Sequence, residues 1–205
     1  LTSGRISDFA VDPDHPKVYY VATSSGGVWK TSNAGTTYEP IFDGEGSYSI
    51  GCITVDPTNS NVIWVGSGEN NNQRSVSYGD GVYKSMDGGK SFKNMGLKES
   101  RQIGGIVIDP RNSDVVYVAA EGSVWGSGGE RGLYKTTDGG ETWEQILFTN
   151  ELSGVADMVM DPNNPNKIVV AMWEHKRWPW FFNSGGKGSG LYITWDGGKN
   201  WKKIT

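Results

Sequence analysis

The sequence predicts an all-β chain folded as a β-propeller of four four-stranded blades, and three observations lead there. An octet of the form Ser/Thr-x-Asp-x-Gly-x-Ser/Thr-aromatic begins at Thr31, Ser85, Thr136 and Thr194, at spacings of 54, 51 and 58 residues. A second marker, Asp-Pro, keeps step with it at Asp12, Asp56, Asp109 and Asp161. The 30 glycines and 9 tryptophans among 205 residues suit many short strands joined by tight turns. A unit of about fifty residues holding four strand-like runs has the size of one propeller blade.

Each unit divides in the same way. The first run covers residues 6–11, 50–55, 103–108 and 155–160. The second covers 18–22, 62–66, 115–119 and 168–172. The third covers 28–31, 82–85, 133–136 and 191–194. The fourth follows the octet aromatic, at 38–42, 92–95, 143–147 and 201–205. All are rich in Val, Ile, Tyr and Trp and bounded by Gly, Pro, Asn and Asp, as strands are. No helical periodicity of useful length competes. The blades are expected to span roughly 1–46, 47–99, 100–150 and 151–205 as a single propeller segment.

The turns have physical roles of their own. Asp-Pro followed by Asn/Asp-rich residues makes the turn between the first and second runs. In the octets, Asp87, Asp138 and Asp196, with Asn33 in the first copy, are placed to accept backbone N–H groups of a tight turn. Glycine supplies the positive φ that such a turn needs. These residues read as staples between the third and fourth strands, not as reaction centres. Four blades, the fewest that propellers use, could close on their own, but further chain, another domain of the parent protein or a partner is expected to complete the ring.

Composition narrows the function. A net charge of −4 and a pI near 5.2 argue against nucleic acid, which needs a basic face. One cysteine, Cys52, and two histidines, His15 and His175, exclude an internal disulfide and a Cys/His zinc site of the usual spacing. No apolar run approaches the roughly 18 residues of a membrane span. There is no signal peptide, and Leu1 in place of Met reads as a mature or excised segment. No Asn-x-Ser/Thr sequon is present.

The octets resemble Asp boxes. Together with Ser3-Gly4-Arg5-Ile6, residues 25–31 (Ser-Gly-Gly-Val-Trp-Lys-Thr), 78–85 (Tyr-Gly-Asp-Gly-Val-Tyr-Lys-Ser), 131–136 (Arg-Gly-Leu-Tyr-Lys-Thr) and 188–192, they make the chain similar from end to end to the sortilin-like and bacterial neuraminidase-repeat propellers. Within that superfamily it resembles large secreted bacterial proteins labelled glycosyl hydrolases. The resemblance implies a secreted, periplasmic or cell-surface protein. It is less specific for activity, since these propellers include sialidases, xyloglucan endoglucanases, sorting receptors and assembly factors. Xyloglucan-active members carry a catalytic Asp in a Thr-Asp-x-Gly-Gly context. Here Thr23-Ser24-Ser25-Gly26-Gly27 puts Ser24 at that position. Sialidases require an Arg-Ile-Pro-like start and a Tyr/Glu pair. Arg5-Ile6-Ser7 lacks the proline, and no such pair can be assigned.

Propeller topology places the 1–2 and 3–4 turns on one face and the 2–3 loops on the other. Only the 2–3 loops vary much in length, at 23–27, 67–81, 120–132 and 173–190. Length variation confined to one face marks the binding face of a repeat protein. The fourth loop carries Trp173, Trp178, Trp180, Phe181 and Phe182 beside Lys176 and Arg177, and the third adds Trp125. Flat aromatic faces suit sugar C–H groups or peptide side chains. Arg5, Arg74, Arg101, Arg131 and Arg177 map to the same face, which fits an anionic or polar ligand. The alternative is that the aromatics cover a neighbouring blade and the arginines pair with Glu69, Glu121, Glu130 or Glu174.

Asp8 and Asp157 hold equivalent positions in the first strands, where the other blades have Cys52 and Gly105. With Glu121 they are the candidates for a glycosidase-type carboxylate pair, the alternative being bonds to neighbouring backbone. No cofactor is expected. Glu69, the run Asn70-Asn71-Asn72-Gln73 and Asp80 offer oxygens of the kind calcium takes, but without a defined loop spacing. The leading expectation is an extracytoplasmic binding module for a peptide, protein or glycan. A glycan-active hydrolase and an architectural domain of a surface protein are the alternatives.

Overall fold

The computed structural model describes residues 5–71 and 76–204. The first sheet runs β1 (Ile6–Val11), β2 (Tyr19–Thr23), β3 (Val28–Thr31), β4 (Glu39–Pro40). The second runs β5 (Ile50–Asp56), β6 (Asn59–Ser67), β7 (Val82–Ser85), β8 (Lys93–Asn94), and the third β9 (Ile103–Ile108), β10 (Val116–Ala120), β11 (Gly132–Thr136), β12 (Glu144–Leu147). The fourth contains β13 (Ser153–Asp161), β14 (Asn164–Arg177), β16 (Gly190–Thr194) and β17 (Lys202–Lys203), and β15 (Phe182–Ser184) pairs with the far end of β14. Every pairing is antiparallel, and the four sheets are arranged as the blades of a β-propeller. Among the described residues the one helical element is a 3₁₀ turn, Lys98–Ser100.

The octet geometry is the same in each blade. Ser85 Oγ donates to Asp87 Oδ1 (2.8 Å) and accepts from Gly89 N (2.9 Å), while Asp87 takes the N–H and hydroxyl of Ser91. Thr136 and Asp138 repeat this with Gly140 and Thr142, and Thr194 and Asp196 with Gly198 and Asn200. In the first copy Asn33 accepts from Thr37 N with Oδ1 and donates to Thr37 Oγ1 with Nδ2. Each turn needs a left-handed residue at its fourth position, supplied by Gly88, Gly139 and Gly197 and, at some steric cost, by Ala34 (φ 56°).

The core is a set of layers between blades. Phe9, Ile53, Ile106 and Met158 are equivalent, each opposite a valine of the second strand (Val21, Val65, Val118, Val170). Their side of each sheet is the front. Tyr20, Ala22 and Val28 on the rear of blade 1 pack against Ile53, Val55 and Val65 on the front of blade 2. Trp64 and Val82 meet Ile106 and Val118 in the same way, and Tyr117 and Leu133 meet Met158 and Val170. Burying each valine, leucine, isoleucine or methionine of these layers contributes about 1.5–3 kcal/mol.

A lysine bracket reinforces every layer. Lys30, Lys84 and Lys135 project from the third strands and donate to the carbonyls of Gly88, Gly139 and Gly197 in the next blade's octet, at 2.9, 3.0 and 2.9 Å. On the way each ammonium lies over a ring of its own blade: Tyr20 (5.5 Å), Trp64 (4.9 Å) and Tyr117 (5.2 Å). In blade 4 the equivalent residues are Ile193 and Val169.

First strands neighbour one another in the order β1, β5, β9, β13. Among the described residues, the front of blade 1 and the rear of blade 4 lie outside these core layers. Phe9 is 64% exposed, whereas its counterparts Ile53, Ile106 and Met158 are buried. On the other end Val159 is 62% and Leu191 38% exposed.

Candidate functional site

The variable-loop face is dominated by the far end of β14. Ile168 pairs with Thr194 at the octet end and Met172 with Gly190, so the residues from Trp173 onward lie at the opposite end of the sheet from the octets. Residues 173–177, expected to be loop, continue the strand instead. Their alternation finds a partner in β15, with His175 opposite Ser184 and Arg177 opposite Phe182. Trp178 N donates to Phe181 O (2.7 Å) and closes the turn, in which Pro179 fixes φ. The hairpin is tied to its surroundings by Arg177 N to Val124 O (2.8 Å) and His175 N to Leu152 O (3.2 Å).

The aromatic residues divide into a base and a tip. Trp173 lies 4.5 Å from the His175 ring and edge-on to Phe182 at 5.7 Å, with its Nε1 donating to Ser184 Oγ (3.1 Å). At the tip Trp178, Trp180 and Phe181 are exposed, Trp180 to 81%. The Trp178 and Trp180 rings are stacked at 6.3 Å with planes 28° apart. Lys176 Nζ sits 4.2 Å over Trp178, and the Arg177 guanidinium 4.4 Å over Phe182. Cations over ring faces hold the side chains in place and leave polar donors beside a flat apolar surface. Trp125 is half-buried in the third blade's loop, its backbone N–H donating to Ser123 Oγ.

Beneath the hairpin is a buried polar group. His175 has no exposed surface, and its Nε2 is 3.5 Å from Glu121 Oε1. Burial holds the imidazole pKa down at about 4, against the opposing effect of the Trp173 carbonyl that accepts from Nδ1, so the ring is neutral at pH 7. Glu121, expected as a candidate acid, lies in the interior, 1% exposed and facing His175. Arg131, expected on the ligand face, is interior too. It is wholly buried and donates to the carbonyls of Glu121 (2.9 Å), Gly126 (2.5 Å), Gly128 (3.0 Å) and Ser123, which makes it the pillar of the loop that Trp125 rides on.

The remaining expected residues sort as follows. Arg5 pairs with the buried Glu69. Arg101 pairs with Glu99 at 3.0 Å and lies over the Tyr78 ring. Arg74 falls outside the described residues, as do Asn72 and Gln73. Asp8 and Asp157 line one cleft of about 400 Å³ with Cys52, Asn70 and Gly105. Asp8 accepts from Phe9 N with one oxygen and from Ile53 N of the next blade with the other (2.8 and 3.0 Å), and Asp157 accepts from Met158 N (2.8 Å). Ser24 is buried.

Among the described residues no group of three or more His, Cys, Asp and Glu is placed to hold a metal. Of the oxygens considered for calcium, Glu69 faces Arg5, and Asp80 accepts from Ser67 and Tyr83 hydroxyls. Among those residues no helix is long and apolar enough to cross a membrane. The residues that sequence reasoning missed are His175 and the bracket lysines. A signal for the latter was present: Lys30, Lys84 and Lys135 stand one residue before the octet in three blades, and Ile193 in the fourth.

Residues 80–205 match the Sortilin-Vps10 family model, described as "Sortilin, neurotensin receptor 3". A xyloglucanase of Hypocrea jecorina (strain QM6a) is 26% identical over 169 residues, which cover 74% of this chain and 19% of the relative. Xyloglucanase Xgh74A of Acetivibrio thermocellus is 24% identical over 218 residues, covering 90% of this chain and 24% of its own. Among solved structures an ancestral GH74 enzyme superposes with a TM-score of 0.74 at 22% identity, over 99% of this chain and 24% of that one. The GH74 enzyme of Niastella koreensis gives 0.70 at 24%, over 95% and 28%. These structural likenesses carry the fold. The chain spans about a fifth to a quarter of the length of the curated relatives.

Proposed function

The chain belongs to the Sortilin-Vps10 family, and we propose that it is the glycan-engaging part of an extracytoplasmic propeller, with the β14–β15 hairpin as its platform. The observation that carries this is the exposed, stacked Trp178–Trp180 pair braced by Lys176. A flat apolar surface flanked by cationic and amide donors matches a sugar ring, whose C–H face is apolar and whose rim is hydroxylated. The kinship with xyloglucanases supports a xyloglucan-type polysaccharide as the first ligand to try. Calorimetric titration of the chain with xyloglucan oligosaccharides tests it. Trp178→Ala/Trp180→Ala is expected to abolish the heat of binding while leaving the melting temperature unchanged. A variant that binds as the parent does would remove the hairpin from the site.

Hydrolysis is the second reading, favoured by the relatives' activity and by the shared cleft of Asp8 and Asp157. Against it stand Ser24, where the endoglucanase pattern has its carboxylate, and the hydrogen bonds that engage Asp8 with backbone. Release of reducing ends from xyloglucan, lost in Asp157→Asn, would favour this reading over simple binding.

A further inference from the structure

Arg111, Trp195 and Lys199 line one cleft of about 460 Å³ between blades 3 and 4, the size of a small-ligand site. Arg111 follows the Asp-Pro of blade 3, and Trp195 and Lys199 are the second and sixth residues of the blade 4 octet. The same three positions hold Asp14, Met86 and Lys90 across blades 1 and 2, and Thr58, Thr137 and Glu141 across blades 2 and 3. The repeated turns form with an acid, a hydroxyl or a base there, so the fold does not demand this combination. Two cations beside a large ring are particular to the boundary of blades 3 and 4.

The carboxylates of this cleft are engaged, while its cations keep donors to spare. Asp109 is buried and accepts from Arg111 N, Nε and Nη2 at 2.9, 2.9 and 2.6 Å. Arg111 Nη2 also donates to Asn166 Oδ1 (2.9 Å), and Nη1 has no hydrogen bond among the described residues. Asp196 accepts from Thr194 Oγ1, Asn200 N and Asn200 Nδ2. Among the described residues Lys199 Nζ and Trp195 Nε1 also lack a hydrogen bond, and Trp195 is 54% exposed. Burial lowers the pKa of Lys135, and Lys199 and Arg111 push the same way against Glu144 and Asp109, so three cations share one field. Met86 and Thr137 stay exposed although blades 3 and 4 follow them, so a further blade leaves the position of Trp195 open.

We propose that this cleft binds an acidic saccharide, with a pyranose ring on the Trp195 face and its carboxylate between Arg111 Nη1 and Lys199 Nζ. An indole face takes the apolar C–H side of a sugar. Charge-assisted hydrogen bonds from guanidinium and ammonium hold the carboxylate. In a chain of net charge −4, cations gathered beside a ring select a negative ligand. An acidic peptide fits less well. Beyond Trp195 the apolar residues of the cleft are Val115, partly buried, and Tyr117, 2% exposed, which offer no pocket for a neighbouring side chain. The cleft lies at the octet end of the sheet, opposite the β14–β15 hairpin, and stands whether or not the hairpin takes a neutral glycan.

Calorimetric titration of the chain with trigalacturonate, galactotriose and triaspartate tests this. Galactotriose has the rings without the carboxylates, and triaspartate has the charge without the rings. Trigalacturonate is expected to bind at least about ten-fold more tightly than either. No binding of trigalacturonate, or equal binding of either control, overturns the proposal. Arg111→Thr, Trp195→Thr and Lys199→Glu together install the residues of the blade 2–3 boundary. There Thr58 donates to Asp56 through its N–H (2.7 Å) and its hydroxyl (2.8 Å), so the turn keeps its cap. This triple variant should melt as the parent does and bind trigalacturonate about a hundred-fold more weakly. Lys199→Glu alone removes no hydrogen bond among the described residues and should weaken binding about ten-fold. Parental affinity in either variant would take the acidic sugar out of this cleft.

Discussion

The octet aspartates show what a single carboxylate contributes here. Hydrogen bonds from Ser91 and Ser85 hold Asp87 at a pKa of about 2, and those from Asn200 and Thr194 do the same for Asp196. Asp138 is depressed further by Thr142 and Thr136. Because the folded values lie below the unfolded one near 3.8, these groups stabilise the fold fully above about pH 4. Their contribution fades as pH falls toward 2. Acid titration followed by tryptophan fluorescence should therefore show unfolding begin in that window. The buried hydroxyls matter as much: Thr136→Val should cost about 1–3 kcal/mol in urea unfolding, since it strands Gly140 N and removes one of the donors to Asp138 Oδ1. His175 titrates with the opposite chemistry but the same sign. Its folded pKa, near 4, lies below the ordinary 6.5, so the unfolded chain takes up the proton first and stability falls as pH drops from 6.5 to 4. Glu121 and Arg131 are the charged groups facing or acting on it. His175→Gln should flatten the slope of melting temperature between pH 7 and 5. The octet roles were legible because residue type and spacing define that turn locally. The roles of Arg131 and Glu121 were not, because burial of a loop charge depends on where distant carbonyls converge.

At the scale of elements, strands were easier to read than their ends. The first and third strands of blade 1, 6–11 and 28–31, are found as expected, and so is 103–108. The fourth strands are shorter than expected. Tyr38, Phe92, Trp143 and Trp201 precede the ladder, and Trp143 packs edge-on to Trp64 of the preceding blade. The largest difference is β14, which runs on to Arg177. Glu174, Lys176 and a following Trp-Pro read as loop, and only pairing with β15 makes an extended conformation favourable there. That pairing decides which aromatics are available: Trp173 and Phe182 support the hairpin, while Trp178 and Trp180 face solvent. Single substitutions should report the division. Trp180→Ala is expected to weaken xyloglucan binding on the order of ten-fold, about 1.4 kcal/mol, with melting unchanged. Trp173→Ala should lower stability by about 3 kcal/mol in denaturant unfolding and reduce binding as a secondary effect.

For the molecule as a whole, the repeat made four blades legible, yet what joins them emerged only from the registers. Apolar alternation alone does not say which side of a sheet meets the next. The bracket does, since it runs one way, from each third strand to the following octet. Lys84→Met is expected to cost about 1 kcal/mol by removing the donor to Gly139 O, whereas Lys202→Met at the periphery should change urea stability by less than about 0.5 kcal/mol.

Of the four outermost strands, β4, β8 and β17 are two residues long and β12 four. A perimeter so short offers almost no template of unpaired amide and carbonyl groups on which a stray extended chain could grow. In a strand-rich architecture, where pairing along an open edge leads to fibrils, growth along this rim is thereby disfavoured.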